Sequence, residues 1–285
     1  MRINAMNDII NIKCGKWEAG ACARLGGNLV YLRYDGKDIL RPLTDEAQLE
    51  INPYLQGAPI LLPANRTYLG KFSFEGVDYT LPITEPRTNS HLHGTVHRQP
   101  FEVLESGDSF VKMHFVNEGK VYPFTFALTV TYALDEEGLS QTYEIVNTDK
   151  KNMPYTFSLH STFLQPDIFS LPIASRQEHN KIDIPTGRYV PLTEQEKLYL
   201  TGSPSRNVEV VGYYEACGYT ARIDDILYTM SDNFDHWIMY NAKGLKDFLC
   251  IEPQAGKVDG LNIADGYRVL APGESVTYKT RYTHI

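Results

Sequence analysis

Apolar and polar side chains alternate with a period of two through Asn28 to Tyr34, Ser109 to Val116, Phe124 to Leu134, Ser140 to Val146 and Ser275 to His284. That is the pattern of strands with one wet face. Breaks at Asp35-Gly36, Glu75-Gly76, Glu137-Gly138, Asp259-Gly260, Asp265-Gly266 and Pro272-Gly273 supply turn residues, and Asp-Gly suits a tight hairpin. Helical periodicity is confined to two short candidates, Thr44 to Leu49 and Thr193 to Tyr199. In the second, Thr193 is placed to cap a turn and Glu196 stands three residues on. No proline-rich linker, charge run, composition shift or fixed-period repeat divides the chain. The pattern predicts one all-β domain over residues 1–285, built as a large antiparallel β-sandwich.

Composition strengthens this picture. The chain is rich in Tyr (19) and Phe (12), side chains that fit a pleated, half-buried surface, and its 285 residues suffice for one large core. A net charge of −8 argues against nucleic acid and anionic membranes, which need basic patches, and favours a small ligand. The amino-terminal MRINAMNDIINIKCGKW lacks an apolar core of signal-peptide length, and no stretch approaches eighteen apolar residues, so a cytoplasmic location is expected. Cys14, Cys22, Cys217 and Cys250 are scattered without a CxxC pair, which predicts reduced, mostly buried thiols.

Three places combine ionisable residues with turn residues. The first runs from Pro59 to Gly94 and holds Asn65, Arg66, His91 and His93. The second, Tyr155 to Pro166, carries His160 in an aromatic run. The third, Asp247 to Asn262, carries Glu252 after the apolar Phe248, Leu249 and Ile251, at the predicted end of a buried strand. A carboxylate there is costly unless paired, which marks Glu252 as the leading candidate. An imidazole titrating near neutrality suits His160 for proton transfer, against the plainer reading of a satisfied core histidine. A metal site on His91, His93 and His97 is weighed and set aside, because no HExxH, CxxC or Asp-rich calcium loop accompanies HLHGTVH. No P-loop, GxGxxG or GxSxG segment is present, so phosphoryl transfer, hydride transfer and serine acylation lose support.

In this order, ANRTYLGKFSFEG, SHLHG, LHSTF and IEPQAGKVDGLN resemble the motifs of the aldose 1-epimerase (galactose mutarotase) family. The resemblance covers most of the chain. It implies the large sandwich of that family and interconversion of the α and β anomers of a free sugar, with no cofactor. It places Glu252 as base and His160 as acid, and Asn65, Arg66 and His93 on sugar-binding positions. A further sugar-binding Asp is expected at Asp225, with Asp224 the alternative. The chain departs from the family pattern at Ser90, Thr95, Thr162 and Leu164, which bears on which sugar is taken. A monomer or homodimer acting on a small sugar is the expected form. The alternatives are a non-catalytic sugar binder, a hexose-phosphate epimerase using Lys71, Arg87 or Arg98, and a glycoside hydrolase using Glu252 with an Asp.

Overall fold

A computed structural model of the chain describes residues 8–285. The first residues of the stretch read for a leader lie outside the described residues. Four of the five period-two segments form the centre of an eight-stranded sheet. Its order is Glu102–Ser106, Phe110–Glu118, Thr125–Leu134, Gly138–Asn147, Ser275–His284, Ile226–Met230, Thr220–Ile223 and Phe169–Ser170, antiparallel throughout. The alternation has a direct cause: Phe126, Leu128, Val130 and Tyr132 are buried in the core, while the residues between them reach the surface in part. The fifth segment, Asn28–Tyr34, belongs instead to a four-stranded sheet with Ile9–Cys14, Trp17–Cys22 and Lys37–Asp38.

A second eight-stranded sheet contains, in order, Pro185–Val190, Ile173–His179, Val211–Ala216, His236–Tyr240, Phe248–Ala255, Phe157–Leu159 and Ile60–Leu61, and Thr162–Leu164 pairs with the first half of Phe248–Ala255. Phe248–Ala255 is buried at every position, so it has no alternation to read. The two sheets pack face to face through aromatic rings. Phe157 lies 4.8 Å from Tyr278 and 5.6 Å from Tyr143, Trp237 lies 6.1 Å from Tyr228, and Phe163 lies 5.9 Å from Tyr282. Tyrosine suits this layer where its hydroxyl finds a partner inside the core: Tyr155 and Tyr278 pair at 3.0 Å, and Ser161 Oγ meets Tyr228 at 2.8 Å.

Asp35-Gly36 and Glu75-Gly76 close tight hairpins, all four residues having positive φ. The helices are short, at Ala47–Ile51 and Glu194–Lys197. Thr193 accepts from the Glu196 amide, and Glu196 accepts in return from the Thr193 amide, a complete capping box. Replacing Thr193 with Ala is expected to cost about 1 kcal/mol in urea unfolding, and an unchanged midpoint would show that the cap contributes nothing. Of the four cysteines, Cys22 and Cys250 are buried, Cys14 is half-buried and Cys217 is exposed. Among the described residues no helix is long and apolar enough to cross a membrane.

Candidate active site

Glu252 sits within Phe248–Ala255, not at its end. It pairs across the sheet with Ile238, which pairs with Tyr213. Directly opposed residues share a face, so these three point together, away from the sandwich core and into a cleft of about 290 Å³. Loops carrying Asn52, Tyr54, Asn65, Glu85, His93 and Asp183 line that cleft, together with His160.

Each loop has a local reason for its course. Asn65 takes a left-handed φ of 57°, a conformation Asn tolerates, and its Oδ1 accepts from the Arg66 amide at 3.0 Å. Its carbonyl accepts from the His93 amide at 2.8 Å, which ties the Asn-Arg segment to the His-Gly segment. Gly94 explains the His-Gly pair: its φ is +61°, and a Cβ there would stand 2.0 Å from the Leu62 carbonyl oxygen. Arg66 is clamped. Its Nε and Nη2 donate to the two Glu85 carboxylate oxygens at 2.7 and 3.0 Å, and Nη1 donates to the Tyr213 hydroxyl at 2.6 Å. Burial opposes the guanidinium charge, but Tyr213 and Glu85 outweigh it and hold the group cationic. Burial would raise the Glu85 carboxyl, yet Arg66, Thr88 and Arg87 hold it below its ordinary value.

His160 follows Phe157–Leu159, its amide fixed to the Pro59 carbonyl at 2.9 Å. Its ring stacks on Tyr54 at 5.7 Å and meets His93 edge-on at 5.2 Å, and its Nε2 lies 3.4 Å from Glu252 Oε1. Both groups are almost fully buried, and burial pushes them in opposite directions. The imidazole falls to about 4, while the carboxyl rises well above the usual range against a weaker pull from Arg66. Glu252 Oε2, His160 Nδ1 and His93 Nδ1 have no hydrogen-bond partner. Three such atoms around one cleft are expensive unless a polar ligand engages them.

The structure thus brings Asn65, Arg66, His93, His160 and Glu252 to one place. Asp225 is not among them. It follows Asp224 in the turn between Thr220–Ile223 and Ile226–Met230, bonds His284 at 3.0 Å, and lines a separate concavity of about 440 Å³. Asp224 accepts from the Asp167 and Ile168 amides and shapes that turn. The expectation of a sugar-binding Asp at either position is corrected: period-two strands on both sides make Asp-Asp the hairpin turn of the other sheet. The His284–Asp225 pair in that wider concavity is also open to solvent, whereas the His160–Glu252 pair of the narrower one is buried. Sequence reading missed Tyr54, Glu85, Asp183 and Tyr213, which lie in the cleft with no local motif. The metal reading of HLHGTVH fails on orientation. His91 Nδ1 is bonded to the Pro82 carbonyl at 2.7 Å, His97 Nε2 accepts from Arg98 at 3.2 Å, and only His93 of the three lines the cleft.

Fold and site together define a galactose mutarotase-like sandwich with a histidine and a glutamate opposed in an open cleft. The sequence profile of the aldose 1-epimerase family matches residues 10–283, and the chain belongs to that family. Among solved structures, a galactose mutarotase-like protein from Clostridium acetobutylicum superposes with a TM-score of 0.90 at 24% identity, covering 97% of this chain and 95% of the other. A GalM/aldose epimerase homologue from C. elegans gives 0.82 at 16% identity, covering 97% and 99%. These likenesses show the fold. An uncharacterized Escherichia coli protein, YihR, is 25% identical over 172 residues, which is 57% of this chain and 54% of YihR. The chain thus spans about half the length of that curated relative.

Proposed function

We propose that the protein is a mutarotase that interconverts the α and β anomers of a free, uncharged aldose. The observation that carries this reading is the 3.4 Å approach of His160 Nε2 to Glu252 Oε1 inside a ring-sized cleft. The anomeric hydroxyl oxygen and the ring oxygen of a pyranose are bonded to the same carbon. An acid and a base that nearly touch can therefore serve both oxygens at once. The pair's one proton rests on Glu252 and passes across the 3.4 Å gap to His160. Glu252 then removes the proton of the anomeric hydroxyl while His160 protonates the ring oxygen, and the bond from the anomeric carbon to the ring oxygen breaks. The aldehyde turns about its bond to the next carbon, and closure with the roles reversed gives the other anomer. No electrons are exchanged with a cofactor.

Arg66 and His93 bind and orient oxygens on the ring side. Glu85 and Asp183 answer the charges of Arg66 and Arg87, with Arg87 Nη1 only 2.7 Å from Asp183. Neither Lys71 nor Arg98 lines the cleft. That balance supports an uncharged sugar over a phosphorylated one. Glycoside hydrolysis by Glu252 with an Asp needs the two carboxyl groups about 5 to 10 Å apart, whereas Asp183, the aspartate lining the cleft, is paired with Arg87, and Glu85 is committed to Arg66.

The test is polarimetry or NMR of freshly dissolved α-glucose, α-galactose, a panel of other aldoses and glucose 6-phosphate. At least one uncharged aldose should equilibrate faster than in buffer. If none does, the reading fails, and faster turnover of the phosphate would remove the charge argument. The pH profile should be bell-shaped, because the pair works only while it holds one proton. A second proton enters as pH falls through the lowered histidine value of about 4, giving the acid limb. The shared proton leaves only above the raised carboxyl value, giving an alkaline limb displaced upward. A rate that rises monotonically with pH would contradict a one-proton pair.

A further inference from the structure

Beside the acid and base lies a third donor that the proton transfer does not use. Cys250 and Glu252 stand two residues apart on Phe248–Ala255, so their side chains leave the same face of the strand. Cys250 pairs with Thr162, whose Oγ1 lies 3.5 Å from the thiol. The Cys250 sulfur, the His160 imidazole and the Glu252 carboxylate each present one ligand atom, and these atoms lie within 4.8 Å of one another. All three residues are buried, and Glu252 Oε2 has no partner.

We propose that these three side chains form an inhibitory site for a thiophilic divalent cation, with zinc the best fit. Zinc bonds of about 2.0 Å to nitrogen and oxygen and about 2.3 Å to sulfur set the donors of a tetrahedral site roughly 3.5 Å apart. The His160–Glu252 separation of 3.4 Å already meets that spacing, and the 4.8 Å bound on the cluster leaves side-chain rotation to close the rest. A thiolate and a carboxylate cancel the charge of the cation, so the buried assembly is neutral overall. Binding releases the thiol proton and the proton held by the pair to solvent. The sulfur selects against magnesium and calcium, which prefer oxygen ligands. The metal takes the lone pairs of His160 and Glu252 that proton exchange requires, so it competes with sugar. That inhibitory consequence rests on the mutarotase reading, whereas the binding does not.

Isothermal titration of the metal-free protein with zinc chloride, and titration with cobalt(II) monitored by its thiolate charge-transfer absorption, test the site. One metal per chain is expected. Cys250→Ser should remove the absorption and weaken zinc at least about 10-fold, the loss that even an outer partner's removal produces. Cys217→Ser, which removes the exposed thiol, should change neither. Equal zinc binding by wild type and Cys250→Ser, or loss of binding in Cys217→Ser, would overturn the proposal. Should Cys250→Ser fail to melt cooperatively, Glu252→Gln and His160→Gln carry the same test, and each must weaken binding. Zinc binding without any mutarotation would sink the activity reading and leave the metal site standing.

Discussion

Replacing Glu252 with Gln is expected to lower mutarotation at least ~100-fold, the lower end of what a positioned acid or base contributes. The amide keeps the shape of the carboxyl and can still meet a sugar hydroxyl, but it cannot accept the anomeric proton. Substrate KM should therefore move far less than kcat. The same substitution removes a buried carboxyl whose Oε2 is unpartnered. The melting temperature should accordingly hold or rise, the opposite of what a structural glutamate would show. His160→Gln should match the loss in kcat, and the double variant should lose little more than either single one, because the two groups act as a unit. A residual rate within about tenfold of wild type would place the base elsewhere.

Arg66→Leu is the second large effect, and it falls on both stability and activity. Arg66 and Glu85 are mostly buried and form a bidentate pair. Removing the cation strands Glu85, which keeps only Thr88 and the exposed Arg87 as partners. Breaking such a pair from one side costs about 3 kcal/mol. For a chain of this size that is a melting temperature lower by roughly 5 °C. Glu85→Leu should be similarly costly, and the double variant should recover much of the loss, because a buried pair replaced on both sides by apolar groups is often near neutral. Activity should not recover with it. A double variant that regains full turnover would show that Arg66 serves only the fold.

The sequence disclosed the outer, alternating strands and hid the inner ones, for a physical reason. Thr125–Leu134 has one face in the core and one toward solvent, and so writes a period of two. Phe248–Ala255 is buried on both faces and writes an apolar run only as far as Ile251, so the sequence places Glu252 at the end of a strand that continues past it through Pro253 and Gln254. Asn65, Arg66, His93 and His160 were legible because each sits at a backbone constraint or in an aromatic run that fixes nearby residue types. Glu85, Asp183 and Tyr213 come from loops and a strand that only the tertiary fold brings together. Asp225 failed for the converse reason: an acidic pair next to an apolar run looks the same in sequence whether it closes a hairpin or faces a ligand.

The strand Ser275–His284 is hydrogen-bonded on both flanks, to Gly138–Asn147 and to Ile226–Met230. During synthesis both neighbours leave the ribosome long before it, so each waits with a bare row of amides and carbonyls. Until residues 275–284 arrive, the sheet they complete can exist only as two separate pieces with open edges, the condition most prone to pairing with another chain. Assembly of this sandwich is thus a late event that joins remote parts of the chain, slow by the rule that distant contacts fold last. Stalling or premature release before residue 275 would yield an aggregation-prone chain that lacks the strand joining the two halves of that sheet.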